Sequence, residues 1–223
     1  VRLRRPPAVQ ISLSAALRVF SDEMRHKRMS LAEEKAHSLP AKMSVPVTMT
    51  LLPAPPDHGI VFFVGVERVR VPVCPESLLN GHYATTIGAD GIQIQTVEHL
   101  LAAVRGLGID NLAIELDGPE LPAMDGSSAP FVSLLYAAGR EAQVAVRRPP
   151  LRVVEAIRVG DEHRWLQILP ASELRISYTL DHEHPAVGIQ VASFVPNERV
   201  FVEELAPART YGFLKDLELL RQQ

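Results

Sequence analysis

The chain has 223 residues, enough for one large domain or two small ones with a sizeable core. Hydrophobic residues make up 47% and charged residues 22%, with a formal net charge of −3, so general polyanion binding does not follow. One cysteine, Cys74, excludes an intramolecular disulfide, and no apolar run reaches the length of a membrane span; a reducing cytoplasm is the expected compartment.

The charge is uneven. Residues 1–44 carry nine Lys/Arg against four Asp/Glu, a net of +5 that leaves −8 for the rest. This basic leader has helix-forming composition but a weak apolar stripe, and no ordered unit is expected there. It would suit a flexible arm, a surface helix or a targeting remnant.

From Val45 the texture changes. "VPVTMTLLPAP" alternates Val45, Val47, Met49 and Leu51 on one face with Thr48 and Thr50 on the other. "PPDHG" is a turn by composition, and "IVFFVGVERVRVPV" resumes strand character. These two strands are expected to form a hairpin. "GHYATTIGADGIQIQ" predicts short extended pieces around an Asp90-Gly91 turn. Thr96 is the expected N-cap of a helix over Val97 to Arg105, which Gly106 and Gly108 end.

"IDNLAIELDGPE" predicts a strand with Leu112, Ile114 and Leu116 on one side. A loop then leads to a second helix, capped by Asp125 or Ser127, whose apolar face holds Phe131, Leu134 and Leu135. "QVAVRRPPLRVV" reads as a linker, after which strand pattern returns at "LRVVEAIRV", "RWLQILP" and "ELRISYTL". Helical material in "FVEELAPARTYGFLKDLELLRQQ" surrounds a polar Arg-Thr-Tyr-Gly turn. The expected organisation is a leader over 1–44, an α+β unit over 45–147, and the N-terminal part of a second α+β unit over 148–223. A second unit ending in its helical part would leave an unpaired sheet edge and an uncovered apolar face, and a tendency to aggregate.

Glu98 and His99 adjoin at the start of the first helix. A neutral imidazole can ligate zinc, and a neighbouring carboxylate can take a proton from zinc-bound water. Taken alone, the pair is explained without a metal as polar residues of a helical first turn, with Glu98 favouring the helix dipole, and there is no His-Glu-x-x-His spacing. Asp125 to Ser128 suits an anion-binding loop or a plain cap. Arg209 could bind phosphate and Thr210 could steady an oxyanion, or both could belong to an ordinary polar turn. Asp181 to Pro185, "DHEHP", is a metal candidate by composition and equally a solvated loop. No phosphate-binding loop, dinucleotide fingerprint or nucleophile elbow is present. There is also no basic-aromatic stripe for nucleic acid, since aromatics are only 5%.

The order of these segments is more specific than any one of them. "YATTIGADGIQIQTVEHLLAAVRGLGIDNLAIELDGPELPAMDGSSAPFV", then "HPAVGIQ" and "APARTYGF", closely resembles the bacterial UDP-3-O-acyl-N-acetylglucosamine deacetylase family, the zinc amidase of lipid A synthesis. The resemblance runs from about Val45 to the last residue. It implies two tandem α+β domains, each a layered β-α-α-β arrangement, facing each other across the active site, with the second incomplete in this chain. It implies Zn2+ held in part by His99, Glu98 as general base, and the Thr210 hydroxyl as an aid to the oxyanion. Phe213 would lie near the substrate's sugar and acyl chain, with Arg209 as the second substrate-binding residue. The implied reaction is hydrolysis of the acetamide of an acylated UDP-N-acetylglucosamine, a small-molecule partner, with acetate released. No nucleic acid, no stable membrane insertion and a monomeric chain are expected. The alternative is a non-catalytic fragment, or a remnant that binds the nucleotide sugar without hydrolysing it.

This sequence departs from the family pattern in three places. The family's other two zinc ligands lie in a His-Lys-x-x-Asp-x-x-Gly-Asp motif beyond the Arg-Thr-Tyr/Phe-Gly-Phe segment, and these 223 residues contain no such motif. The family's initial Gly-Leu-His-Ser-Gly is represented only by His37-Ser38 in "KAHSLPAK". Residues 1–35 match nothing in the family.

Overall fold

The computed structural model of the protein describes residues 9–12, 47–81, 84–122, 124–143 and 151–212. Strand β2 (Thr48–Pro53) buries Met49 and Leu51 and turns Thr48 and Thr50 away, as period-two alternation requires. It does not pair with the next strand in sequence. The partner of β2 is β8 (Leu112–Leu116), antiparallel in the register Met49↔Leu116 to Pro53↔Leu112. On the other side of β8 lies β3 (Ile60–Val64), which runs parallel to it. The hairpin expected between the first two strand stretches is therefore not formed, because a strand from much later in the chain is inserted between them.

"IVFFVGVERVRVPV" instead folds on itself. Gly65 and Arg68, both with positive φ (69° and 54°), turn β3 back into β4 (Val69–Pro72). The turn is closed by the Arg68 amide on the Gly65 carbonyl at 3.1 Å. Within the basic leader, β1 (Val9–Ser12) adds an antiparallel strand to the outer edge of β2, a contribution its composition does not announce. The full sheet order is β1-β2-β8-β3-β4.

A second, three-stranded sheet comprises β5 (Leu78–Asn80), β6 (Thr86–Ala89) and β7 (Ile92–Ile94). The Asp90-Gly91 turn between β6 and β7 has φ of 50° and 81°, as a tight hairpin demands. Helices α1 (Glu98–Gly106) and α2 (Ala129–Ala138) pack against each other. They share one core with the large sheet: Leu100, Val104, Phe131 and Leu135 join Met49, Phe62 and Ile114, all nearly inaccessible to solvent. The expected apolar face of α2 is present in Phe131 and Leu135, with Leu134 only half-buried and Val132 buried in addition.

The later strands form two separate antiparallel hairpins. One is β9 (Ile157–Gly160) with β10 (Trp165–Ile168), the other β11 (Ile176–His182) with β12 (Gly188–Phe194). Trp165, Leu166, Tyr178, Ile189 and Val191 are all more than half exposed in them. Beyond the hairpins, a short helix α3 (Glu198–Val200) continues as a π-helical turn, Phe201–Leu205. Asn197 caps α3, its Oδ1 accepting from the Val200 amide. Phe201 and Ala206 then enter the core built by residues 47–143. The linker expected at "QVAVRRPPLRVV" falls largely on residues 144–150, outside the described residues. Among the described residues no helix is long and apolar enough to cross a membrane.

Candidate functional site

The two helices start from a shared piece of backbone. The Gln95 amide donates to the Pro119 carbonyl at 2.9 Å, and the Leu121 amide donates back to Gln95 at 3.1 Å. From this bridge one strand of chain runs into α1 and the other into the Met124–Ser128 turn that precedes α2. The first turn of α1 and the entry to α2 are thereby brought to one end of the helix pair.

Thr96 is not the N-cap. Its φ is +60°, a rare backbone for a β-branched residue, and its hydroxyl donates to Glu120 Oε1 at 2.8 Å instead. Val97 holds the cap position with no side-chain cap bond. A left-handed Thr96 points its hydroxyl across to the neighbouring segment rather than into the helix.

Glu98 and His99 are the first two residues of α1, and both are half-buried. The Glu98 carboxylate accepts the Thr85 amide on Oε2 at 3.0 Å, and the Val97 amide in turn reaches the Thr85 carbonyl at 3.4 Å. One carboxylate oxygen is thus fixed by backbone just before β6.

The Met124–Ser128 turn is built around Asp125. Its Oδ1 accepts from the Ser127 amide (3.0 Å) and the Ser127 hydroxyl (2.7 Å), while Ser127 Oγ accepts from the Ala129 amide (3.2 Å). Positive φ at Met124 and Gly126 completes the bend. Of the two expected caps, Ser127 thus reaches a helix amide and Asp125 orients Ser127.

Arg209 and Thr210 dock onto this turn. The Thr210 amide donates to the Gly126 carbonyl at 2.8 Å, and Arg209 Nη2 lies 3.5 Å from Asp125 Oδ2. A Cβ on Gly126 would come within 3.4 Å of the Thr210 methyl, so the two backbones lie close. Just upstream, the Ser128 and Ala129 amides both donate to the Ala206 carbonyl at 3.0 Å. Arg209 and Thr210 are therefore placed with Asp125. The hydrogen bonds of the described residues do not tie them directly to Glu98 or His99. Phe213 lies outside the described residues, as do His37 and Ser38.

As a metal position, His99 supplies one imidazole beside an anchored carboxylate, a donor type suited to zinc. Among the described residues no group of three His, Cys, Asp or Glu side chains is arranged to hold a metal ion. Asp181–Pro185 forms the end of β11 and the turn into β12, where the His184 carbonyl accepts the Val187 and Gly188 amides. Sequence reasoning missed Thr85 and Glu120, the partners that fix Glu98 and Thr96. Both act through single, non-local hydrogen bonds that leave no periodicity.

A family model described as UDP-3-O-acyl N-acetylglycosamine deacetylase matches residues 37–223. A protein of Myxococcus xanthus named UDP-3-O-acyl-N-acetylglucosamine deacetylase is 47% identical over 178 residues, covering 79% of this chain and 56% of its own length. Proteins of the same name from Syntrophotalea carbinolica and Haemophilus influenzae are each 42% identical, over 78% and 79% of this chain and 57% and 59% of theirs. The chain spans a little under three-fifths of the length of these curated relatives.

Proposed function

Since this chain belongs to the UDP-3-O-acyl N-acetylglycosamine deacetylase family, we propose that it carries half of the active site of an amidase. The reaction is removal of the acetyl group from an acylated UDP-N-acetylglucosamine, in lipid A biosynthesis, with zinc as the metal. The observation that carries this reading is the anchored Glu98 beside His99, at the same end of the helix pair as the turn that holds Thr210.

Zinc, when bound, polarises the amide carbonyl and lowers the pKa of water. His99 is the residue of this chain that would present a nitrogen to it. Thr85 holds Oε2 of Glu98, which leaves Oε1 to take the proton as water oxygen adds to the acetyl carbon. The Thr210 hydroxyl supports the negative charge that develops on the carbonyl oxygen. The C–N bond then breaks, acetate leaves, and the amine nitrogen gains a proton. Arg209 and Phe213 hold the nucleotide sugar and its acyl chain. The setting is the cytoplasm, in keeping with a single cysteine, and the protein acts as a monomer.

The test measures zinc content and acetate release by the purified chain extended with a family segment that bears the His-Lys-x-x-Asp-x-x-Gly-Asp motif, since catalytic zinc takes three protein ligands. Zinc should be bound and lost in His99→Ala. Glu98→Gln should slow acetate release by about 10²–10⁴-fold, the usual share of a general base. If the extended chain shows neither bound zinc nor acetate release, the reading is overturned. Heat on titration with UDP-N-acetylglucosamine, without acetate release, would favour the binding-only alternative.

A further inference from the structure

The segment from Glu198 to Thr210 runs back along α2. Glu198 lies at the C-terminal end of that helix, Ala206 at its first residues, and Thr210 at the turn before it. The far end is held by a cluster with no part in the reaction described above. Arg140 forms a two-pronged pair with Glu198, Nη2 to Oε1 at 2.6 Å and Nη1 to Oε2 at 2.9 Å. The same Nη1 donates to the Leu107 carbonyl at the end of α1, at 2.7 Å. Tyr136 donates its hydroxyl to Glu198 Oε1 at 2.9 Å, and its ring lies 5.5 Å beneath the Arg140 guanidinium. One guanidinium–carboxylate pair thus joins the C-terminal ends of α1 and α2 to the start of α3.

Between this cluster and Thr210 the chain takes a π-helical turn, closed by the Ala206 amide on the Phe201 carbonyl at 2.7 Å. A π-turn adds one residue relative to an α-helix, which changes the phase of everything downstream by about 100°. The direction of Thr210 thus depends on register along α2, and register is fixed at both ends of the segment. We propose that Arg140, Glu198 and Tyr136 are positioning residues: they set the register in which residues 198–210 lie on α2, and so place Arg209 and Thr210 at the Asp125–Gly126 turn. That Thr210 matters for catalysis rests on the function proposed above; the placement does not.

Amide hydrogen exchange tests the placement without needing activity. In Arg140→Ala the amides of Thr210, Ser128 and Ala129 should exchange at least about tenfold faster, while those of Phe62 and Ile114 in the central strands keep their protection. The reversed pair, Arg140→Glu with Glu198→Arg, should restore part of the lost protection. Tyr136→Phe, which removes a single hydrogen bond, should give a smaller change of the same pattern and serves if Arg140→Ala does not fold. Unchanged exchange at Thr210, or a rise equal to that at Phe62 and Ile114, overturns the proposal. Loosened Thr210 in a chain that releases no acetate would leave the positioning role standing and count against the proposed function alone.

Discussion

Substituting Gly106 by Ala separates two roles for that glycine with opposite signs. As a helix residue, Gly→Ala should stabilise by up to about 1 kcal/mol, and by less in the last turn, where Gly106 stands. As a contact residue it should destabilise. A Cβ built at Gly106 would stand 2.5 Å from Cε1 of Phe201 and nearer still to Cγ and Cδ1. Phe201 is only 9% exposed, so its ring cannot simply swing into solvent without losing its burial. Forcing one more carbon into a filled site costs about 1–3 kcal/mol. Expelling the Phe201 ring instead forfeits a similar amount, about 1.5–3 kcal/mol. The clash outweighs the propensity gain, and the expected net loss is about 1–2 kcal/mol. Urea denaturation followed by circular dichroism reads this as a lower midpoint at unchanged slope. The coupling is checked in a Phe201→Ala background, where Gly106→Ala should become neutral or stabilising. A Gly106→Ala chain as stable as the parent would refute the reasoning. So would an equal loss in both backgrounds, because neither outcome is compatible with Phe201 lying on Gly106.

Two further perturbations probe the site. Asp125→Ala removes the acceptor for both Ser127 groups and the partner of Arg209, and should cost about 1–2 kcal/mol in thermal or urea unfolding, with faster exchange at the Thr210 amide. Glu198 is held below the ordinary carboxylate range, chiefly by its hydrogen bonds from Arg140; burial opposes this, and the Tyr136 hydrogen bond and the Arg140 charge add smaller lowering effects. A depressed carboxylate contributes stability above its unfolded value, and that contribution fades as pH falls below 4.5 through the folded value. The gap in urea midpoint between the parent and Glu198→Gln should therefore narrow from about pH 7 to about pH 3; a gap that stays constant would contradict the pairing.

The strands of the first sheet are legible because burial on one face imposes a period of two: Met49 and Leu51, then Leu112, Ile114 and Leu116, are buried in that pattern. Asp90-Gly91 is legible because few sequences tolerate two consecutive positive φ values. Alternation specifies which face is buried but not which strand lies alongside. That is why β8 could displace the expected pairing of β2 with β3. The turn within "VGVERV" is hidden for a related reason. Val66 stands fully exposed at its tip, so an apolar residue there mimics the continuation of a strand.

At the candidate site, adjacency singles out Glu98 and His99, turn composition Asp125 and Ser127, and a polar setting Arg209 and Thr210, while the roles proposed for them come from the family resemblance. Residues that act through distant partners could not be singled out in this way. Gly106 reads as a helix terminator, yet it is the position where Phe201 needs the missing Cβ. Arg140 follows a helix-ending glycine whose φ is +75°, and nothing in its sequence setting marks a distant partner. That same left-handed turn lets the guanidinium fold back over Tyr136, where it meets a carboxylate 58 residues further along the chain. An exposed ion pair usually contributes little to stability. This one differs in geometry, with two parallel hydrogen bonds, a third to the Leu107 carbonyl and an aromatic ring beneath. Its consequence is therefore to be sought in where the chain beyond it comes to rest, at the turn that receives Arg209 and Thr210, more than in the stability of the whole.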